Sequence, residues 1–487
     1  MEGKDNNYDV VIIGAGISGI DAAYRLQTQC PDHTFTILEA RDAIGGTWDL
    51  FKFPGIRSDS DLYTFGFPFR PWTEKTAIAE ADAILNYLND TVNEYGIDRK
   101  VQFRHKLEAA DWSSDQQAWN LSVDASGERK QFHCNFLLVC TGYYDYHNPL
   151  PAIIPGIENF KGKVVHPQFW PADLDYTGKN VTIVGSGATA ITLLPNVAKT
   201  AAMTTMLQRS PSYIAPMPQD DALNRLARRW LPIHWAYTLI RIKSFLLPYI
   251  FYLFCRAAPN AARWLLKKGA SDLLPQGYPM DPNFKPAYNP WDQRLCITPK
   301  GDFFDAIKQG KADVVTDSIK TVTEDSIVLN NSDRVLKPDI IVTATGLRIL
   351  LIGGARITVD KEPIIVSSKH LYKGIMLQDV PNAAVVIGYA NASWTLGADA
   401  TAQFTTRLLN HMKRRGYTSA VPKLDPSKPM KDAPVLNINS TYVASAKDIM
   451  PKAGSVGPWR PRTMWLRDLW DAQHGTLEDL HFSSVST

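Results

Sequence analysis

Tyr8 to Leu26 reads YDVVIIGAGISGIDAAYRL, and Lys179 to Ala198 reads KNVTIVGSGATAITLLPNVA. Each is a short apolar strand, then a glycine turn, then a helix pattern. Two copies of this unit, about 170 residues apart, predict an α/β protein with two Rossmann-like dinucleotide-binding domains rather than one. In the first copy Gly14, Gly16 and Gly19 follow the strand Val10 to Ile13 and open an alanine-rich helix. Glycines at this spacing permit a tight turn, close approach of backbone to a pyrophosphate, and close packing of helix on strand. The helix N-terminus then offers its free N–H groups and positive dipole end to the phosphates.

The residue that ends the next strand separates the two copies. Glu39 follows the strand Thr34 to Leu38, where a carboxylate accepts hydrogen bonds from the ribose hydroxyls of an adenosine. The second copy carries Gly185, Gly187 and Ala190, and its next strand ends in Gln208, Arg209 and Ser210. An acid there would repel a 2′-phosphate, whereas Arg and Ser bind it. The first site is therefore expected to hold FAD or NAD and the second NADP. Gly45 and Gly46, followed by Thr47 and Trp48, suit a second approach of backbone to the flavin nucleotide. Two dinucleotides in one chain imply electron transfer between them.

Two further strands, Phe136 to Gly142 (FLLVCTG) and Ile340 to Gly346 (IIVTATG), read as the points where the chain leaves the first domain and returns to it. The expected organisation is an FAD domain in two parts, 1–145 and 341–487, around an NADP domain at 146–340. A helical insertion is expected at about 215–290. Of 487 residues, 45% are hydrophobic and 21% charged, an ordinary globular balance that excludes wholesale disorder. The net charge of +3 gives no argument for nucleic acid. Five scattered cysteines without a C-x-x-C pair argue against a disulfide framework and a zinc site, and no metal is expected. The polar start, Met1 to Asn7, lacks the features of a signal peptide. A cytoplasmic protein is expected.

Between the two glycine motifs lies FKGKVVHPQFWP, with Phe160, Gly162, His166, Trp170 and Pro171. It matches F-x-G-x-x-x-H-x-x-x-W-P, and on this fingerprint the chain resembles the type I Baeyer–Villiger monooxygenases. Related flavin-containing and N-hydroxylating monooxygenases usually carry Tyr or Phe at the position of Trp170. The resemblance spans nearly the whole chain and is closest to the ethionamide-activating branch. It rests also on Gly45 to Phe67, Tyr288 to Leu295 (YNPWDQRL) and Asn391 to Leu396 (NASWTL).

The resemblance implies an NADPH- and O2-dependent FAD monooxygenase. Through a flavin C4a-peroxide it would insert one oxygen into apolar ketones, giving esters or lactones, and would also oxidise sulfides. It implies that Arg294 is the active-site arginine and that Asp59, also near the flavin, contacts it. It implies too that Arg209 binds the 2′-phosphate, and that Phe160, Gly162, His166 and Trp170 couple domain movement to catalysis. Gln293 stands where a lysine that helps bind NADP is common, which weakens the argument for strict NADPH use. Trp394, at the start of a helix aimed at the flavin, is a candidate for the pocket wall.

The alternative is a flavin-containing N- or S-monooxygenase without Baeyer–Villiger activity. Trp170 and the Arg294–Asp59 pair argue against it. A disulfide reductase of the same plan would need a cysteine pair, and a flavin-binding sensor would not need Arg294. One segment stands apart. Residues 222–271 carry nine basic side chains and no acid, around the apolar run Phe245 to Cys255. Read alone, this run is too short to span a membrane and is interrupted by Pro248. Its charge and its aromatic residues, Trp230, Trp235, Tyr237, Tyr249 and Tyr252, suit either peripheral contact with a membrane or packing on the protein body.

Overall fold

The structure, a computed structural model, describes residues 6–219 and 221–484. The polar start from Met1 to Asp5 lies outside the described residues. Two separate sheets carry the two glycine motifs. In the first, Val101–Phe103, Phe35–Glu39, Asn7–Ile13, the end of Glu128–Val139 and Ala383–Val385 run parallel in that order. The first half of Glu128–Val139 pairs antiparallel with Ala118–Ala125, which pairs in turn with His105–Ser113. In the second sheet Ala312–Thr316, Met203–Gln208, Asn180–Val184, Ile340–Thr343 and Lys163–Val165 are all parallel. Covered on both faces, its central strands are apolar runs: Ile340–Thr343 is buried throughout. The doubly wound α/β architecture with two dinucleotide-type sheets is as the sequence predicts.

The helix Ile17–Gln29 starts straight after Gly16, and Ala188–Val197 straight after Gly187. Each turn needs its first glycine for two reasons. Gly14 has φ +102°, and a Cβ there would lie 2.8 Å from the carbonyl oxygen of Cys140. Gly185 has φ +139°, and its Cβ would lie 2.2 Å from the carbonyl oxygen of Ala344. Cys140 and Ala344 belong to the two motifs where the sequence places the crossings. The two connecting segments then run side by side. The Asp145 N–H donates to the Arg348 carbonyl at 2.9 Å, and the Leu350 N–H to the Tyr143 carbonyl at 2.9 Å.

The insertion is closed at its base, where Ile214–Met217 pairs parallel with Cys296–Pro299. Between them lie three helices, Ala222–Trp230, Ile233–Ala257 and Pro259–Leu273. The middle helix corrects the sequence reading. Pro248 does not interrupt it, and at 25 residues it is long and apolar enough to cross a membrane by length and composition. An interior proline costs about 3 kcal/mol through the lost N–H and its ring. Burial of Phe245 and Cys255 on either side offsets that cost.

The long helix Trp394–Arg415 returns to the first domain and packs on Ile17–Gln29. Arg25 and the nearly buried Asp399 pair across that contact at 2.6 Å. The helix ends at Gly416 in the left-handed conformation, with Lys413, Arg414 and Arg415 in its last turn.

Gly14→Ala is expected to lose about 1–3 kcal/mol of stability through backbone strain and the Cys140 clash. Gly187→Ala has an ordinary φ and open space before it, so its thermal melt should match wild type within about 0.5 kcal/mol. Thermal unfolding of the two variants side by side checks this.

Candidate functional site

A single large cleft joins the two glycine turns. Its volume of about 1,870 Å³ exceeds the ~1,000 Å³ upper end of single small-molecule pockets, so it has room for two dinucleotides. Gly14, Gly16, Glu39, Gly46, Thr47, Trp48 and Asp59 line one part. Gly185, Gly187, Arg209, Ser210 and Gln293 line another. Arg294, His166 and Trp394 line it as well. Gly19 and Ala190 do not; both are the third motif position, where a small residue packs helix on strand. A Cβ on Gly19 would lie 1.9 Å from the Gly14 carbonyl oxygen, and Ala190 is fully buried.

The first turn is built for a nucleotide. The buried Glu39 carboxylate accepts from the Ala15 N–H at 2.7 Å and from the Arg41 N–H at 2.9 Å. Its position at the strand end is thus held by the turn itself. Gly46, with φ +55°, faces Gly16, and a Cβ on it would sit 3.4 Å from the Gly16 Cα. The two glycine turns therefore meet backbone to backbone. Arg41 locks the second turn by donating to the Gly46 carbonyl at 3.2 Å and pairing with Asp49 at 2.6 Å. Thr47 Oγ1 lies 3.5 Å from the Tyr146 hydroxyl. These features fit FAD: a cradle that a side chain would fill, with a buried acid at its far end.

The second turn ends differently. Arg209 and Ser210 are exposed to the cleft, and no carboxylate pairs with Arg209 among the described residues. Ser186 Oγ donates to the Ser210 carbonyl at 2.8 Å, which shapes the loop beside the turn. This arrangement leaves a cation free for a phosphate.

The Arg294 surroundings correct one expectation. No ion pair within 4.0 Å joins Arg294 to Asp59; Arg294 Nη2 instead donates to the Tyr389 carbonyl at 2.6 Å. The two charges still act on each other through space. Burial works against the Arg294 charge, but the Tyr143, Tyr442 and Tyr144 phenols and Asp59 together hold its pKa above the usual value. The Arg294 side chain faces the cleft. Burial raises the Asp59 carboxyl to about 6, with Arg57 and then Arg294 pulling it back. Arg57 itself pairs with Asp302 at 2.5 Å and ties this loop to the second domain.

The fingerprint residues divide. His166 lines the cleft, its Nδ1 accepting from the Gln168 N–H at 3.2 Å, and burial lowers its pKa. Phe160 is buried in a small core, and a Cβ on Gly162 would meet the Phe160 ring and the Asp339 carbonyl at 2.5 Å. Trp170 packs edge-on against Tyr176, ring centroids 6.1 Å apart, away from the cleft. Gln168, inside the fingerprint but unspecified by it, donates from Nε2 to the Asp145 carbonyl at 2.7 Å. It clips the fingerprint to the first of the two connecting segments.

Sequence reasoning missed Tyr143, Tyr144 and Tyr442, the aromatic wall beside Arg294. The Tyr143 and Tyr144 rings meet at 4.6 Å, and Tyr143 and Trp394 at 5.1 Å. The run YYDYHN directly after FLLVCTG was the available signal. All five cysteines are free and buried, and burial raises their pKa values where a redox pair would need thiolate. That removes the disulfide-reductase alternative.

Such a fold and cleft define a two-dinucleotide flavoprotein oxidoreductase. The family described as flavin-binding monooxygenase-like matches residues 7–224. The FAD-containing monooxygenase EthA of Mycobacterium tuberculosis is 46% identical over 472 residues, covering 97% of this chain and 96% of that protein. The probable FAD-binding monooxygenase AlmA of Acinetobacter baylyi is 42% identical over 482 residues, covering 98% and 96%. Among solved structures, ε-caprolactone-bound cyclohexanone monooxygenase superposes with a TM-score of 0.75 over 98% of this chain and 100% of that one, at 18% identity. The chain belongs to the FAD-containing, EthA-like flavin monooxygenases.

The sign of the Asp59 shift gives a test. A carboxyl raised from 3.8 to about 6 favours the protonated folded state below pH 4, and that contribution is lost as pH rises through 6. Asp59→Asn, which keeps the neutral form, should match wild-type Tm near pH 4 and exceed it at pH 8. A Tm difference independent of pH would reject the assignment.

Proposed function

We propose that the protein uses NADPH and O2 to insert one oxygen atom into apolar ketones, giving esters or lactones, and that it also oxidises sulfides. The observation that carries this reading is the position of Arg294. It stands in the cleft between the two dinucleotide turns, fixed by the Tyr389 carbonyl and flanked by Tyr143, Tyr144 and Tyr442. Arginine stays protonated in such surroundings, so it supplies a permanent cation. A preorganised cation stabilises negative charge developing on a substrate carbonyl oxygen without reorganising. The aromatic wall suits an apolar substrate.

FAD, once reduced, supplies the oxygen-activating chemistry. Its pyrophosphate would lie against the Gly14–Gly19 turn, its ribose against Glu39, and its remaining length beside Gly46, Thr47, Trp48 and Asp59. The helix starting at Trp394 would add its positive end, and Trp394 is held there by donating from Nε1 to Ser18 Oγ at 2.8 Å. NADPH would occupy Gly185, Gly187 and Ala190, with Arg209 and Ser210 on its 2′-phosphate and Gln293 nearby. His166, clipped to the connecting segments through Gln168, would couple movement of residues 146–340 to the flavin parts at 1–145 and 341–487. Asp59 would act by setting the field at Arg294, not by pairing with it.

Arg294→Ala should retain yellow FAD yet lose about 10²–10³ in the rate of ester formation. Product analysis with linear ketones, cyclic ketones and sulfides decides the reading; near wild-type ester formation in Arg294→Ala would reject the role. Arg209→Ala should raise KM for NADPH at least about tenfold, as expected for a lost charge-assisted bond to phosphate, while KM for NADH stays unchanged. Equal changes for both cofactors would reject the 2′-phosphate role.

A further inference from the structure

Exposed apolar surface is concentrated in the helical insertion. Trp230 and Ile233 are 71% exposed, Trp235 64% and Trp264 63%. Trp235, Leu239, Ile250 and Leu253 follow one another at spacings of 4, 11 and 3 residues. Each spacing is close to a whole number of 3.6-residue turns, so these four share one face of the helix Ile233–Ala257. Leu247 and Phe254 are also exposed, about a quarter of a turn round the helix from it. Away from that face the helix is anchored: Phe245 packs edge-on against Trp465 at 5.1 Å, and Ile240 and Cys255 are buried.

Cations accompany the exposed aromatics. Arg229 lies over the Trp230 ring at 5.6 Å and Lys268 over the Trp264 ring at 5.4 Å, with Lys267 exposed beside it. Asp272, at the far end of the third helix, is the single acid in the three helices. Not every basic residue of the segment points outward. Arg241 donates to the carbonyls of Tyr63 and Gly66, Lys243 pairs with Asp221, and Arg256 pairs with Asp292. Likewise Tyr252 turns inward onto Trp291, so the outward tryptophans are Trp230, Trp235 and Trp264.

We propose that this face docks on an anionic phospholipid bilayer, with the helix Ile233–Ala257 lying along the surface. Aromatic residues at headgroup depth, aliphatic residues below and cations among the phosphates are what such a helix needs. Charge complementarity selects the occupant. A second copy would set one cationic face against another in an isologous pairing, whereas anionic headgroups neutralise it. Spanning the membrane would strip Phe245, Arg241 and Arg256 from their partners, so the helix lies flat.

The docked face adjoins the site. Tyr252 meets Trp291 with ring centroids 5.5 Å apart, Arg256 holds Asp292 at 2.8 Å, and Arg263 donates to Asn289 Oδ1 at 2.7 Å. These three contacts hold the loop that carries Gln293 and Arg294. The bilayer is thereby placed to deliver apolar substrate. Docking itself does not depend on the proposed oxygenation.

The test is sedimentation of the full-length holoenzyme with phosphatidylglycerol vesicles and with phosphatidylcholine vesicles, across a salt series. The protein should pellet with phosphatidylglycerol at low salt, be released by salt, and stay in solution with phosphatidylcholine. Removing each cation should weaken partitioning about fivefold, so Arg229→Glu/Lys267→Glu/Lys268→Glu should bind at least about a hundredfold less. Flavin absorbance and turnover without vesicles should be unchanged in that variant, which keeps a docking failure distinct from a failure of the chemistry. Wild-type protein remaining in the supernatant with phosphatidylglycerol would overturn the proposal. So would a dimer in sedimentation equilibrium that Trp230→Ser/Trp235→Ser dissolves, because the face would then belong to a second copy.

Discussion

The architecture depends on one repeated close approach. In each dinucleotide unit the first glycine of the turn lies against a carbonyl oxygen of the neighbouring strand, Gly14 on Cys140 and Gly185 on Ala344. No side chain fits between them, and both glycines have positive φ. The contact brings the end of one strand beside the start of a helix and forces the chain outward there. That exit is where the connecting segments begin. Because both exits obey the same constraint, the two segments emerge together and bond to each other through Asp145, Arg348, Tyr143 and Leu350. The cleft is the space this leaves between the two turns.

Everything that gives the cleft its chemistry is hung on that frame from elsewhere in the chain. Arg294 arrives on the loop just before the strand that closes the base of the insertion, Trp394 on the helix that follows the return, and Tyr442 on the C-terminal segment. Their convergence depends on the chain's return to the first sheet, where Ala383–Val385 pairs with Glu128–Val139. An uninterrupted domain order would leave Tyr143 and Tyr442, some 300 residues apart, without reason to meet.

The glycine turns and the places of Glu39 and Arg209 at the strand ends were legible because they are local: turn geometry and charge at a strand end are written within a few residues. The Arg294–Asp59 relation was not. The family resemblance implies both residues for the site, but which acceptor the guanidinium takes depends on where the Tyr389 carbonyl lies, 95 residues later. The continuous helix through Pro248 was also hidden. A proline lowers local helix propensity, while the packing of Phe245 and Cys255 that overrides it is tertiary. The fingerprint was legible as a pattern but not as a division of labour, since only the fold reveals that His166 faces the cleft while Trp170 faces Tyr176.

Counting charges along the chain misleads for a related reason. Arg241, one of nine basic residues in the insertion, is enclosed rather than solvated, and burial lowers its pKa. Around it lie Asp399, Tyr87, Asp61 and Asp21, from four different segments of the first domain. Asp21 is fully buried and its carboxylate has no hydrogen-bond partner among the described residues, and burial together with Asp399 pushes it well above the usual range, favouring the neutral acid. The cluster therefore sets one arginine against Asp21, which favours its neutral form, and Asp61, whose carboxyl burial raises to about 6. A buried group of this kind contributes little net stability, because desolvation offsets the Coulomb attraction. Its effect is on position: an arginine with carbonyl acceptors on Tyr63 and Gly66 holds the long helix of the insertion in one place on the flavin domain. The same helix braces the Arg294 loop through Tyr252 and Arg256, so the buried arginine sets the geometry of a site it does not touch.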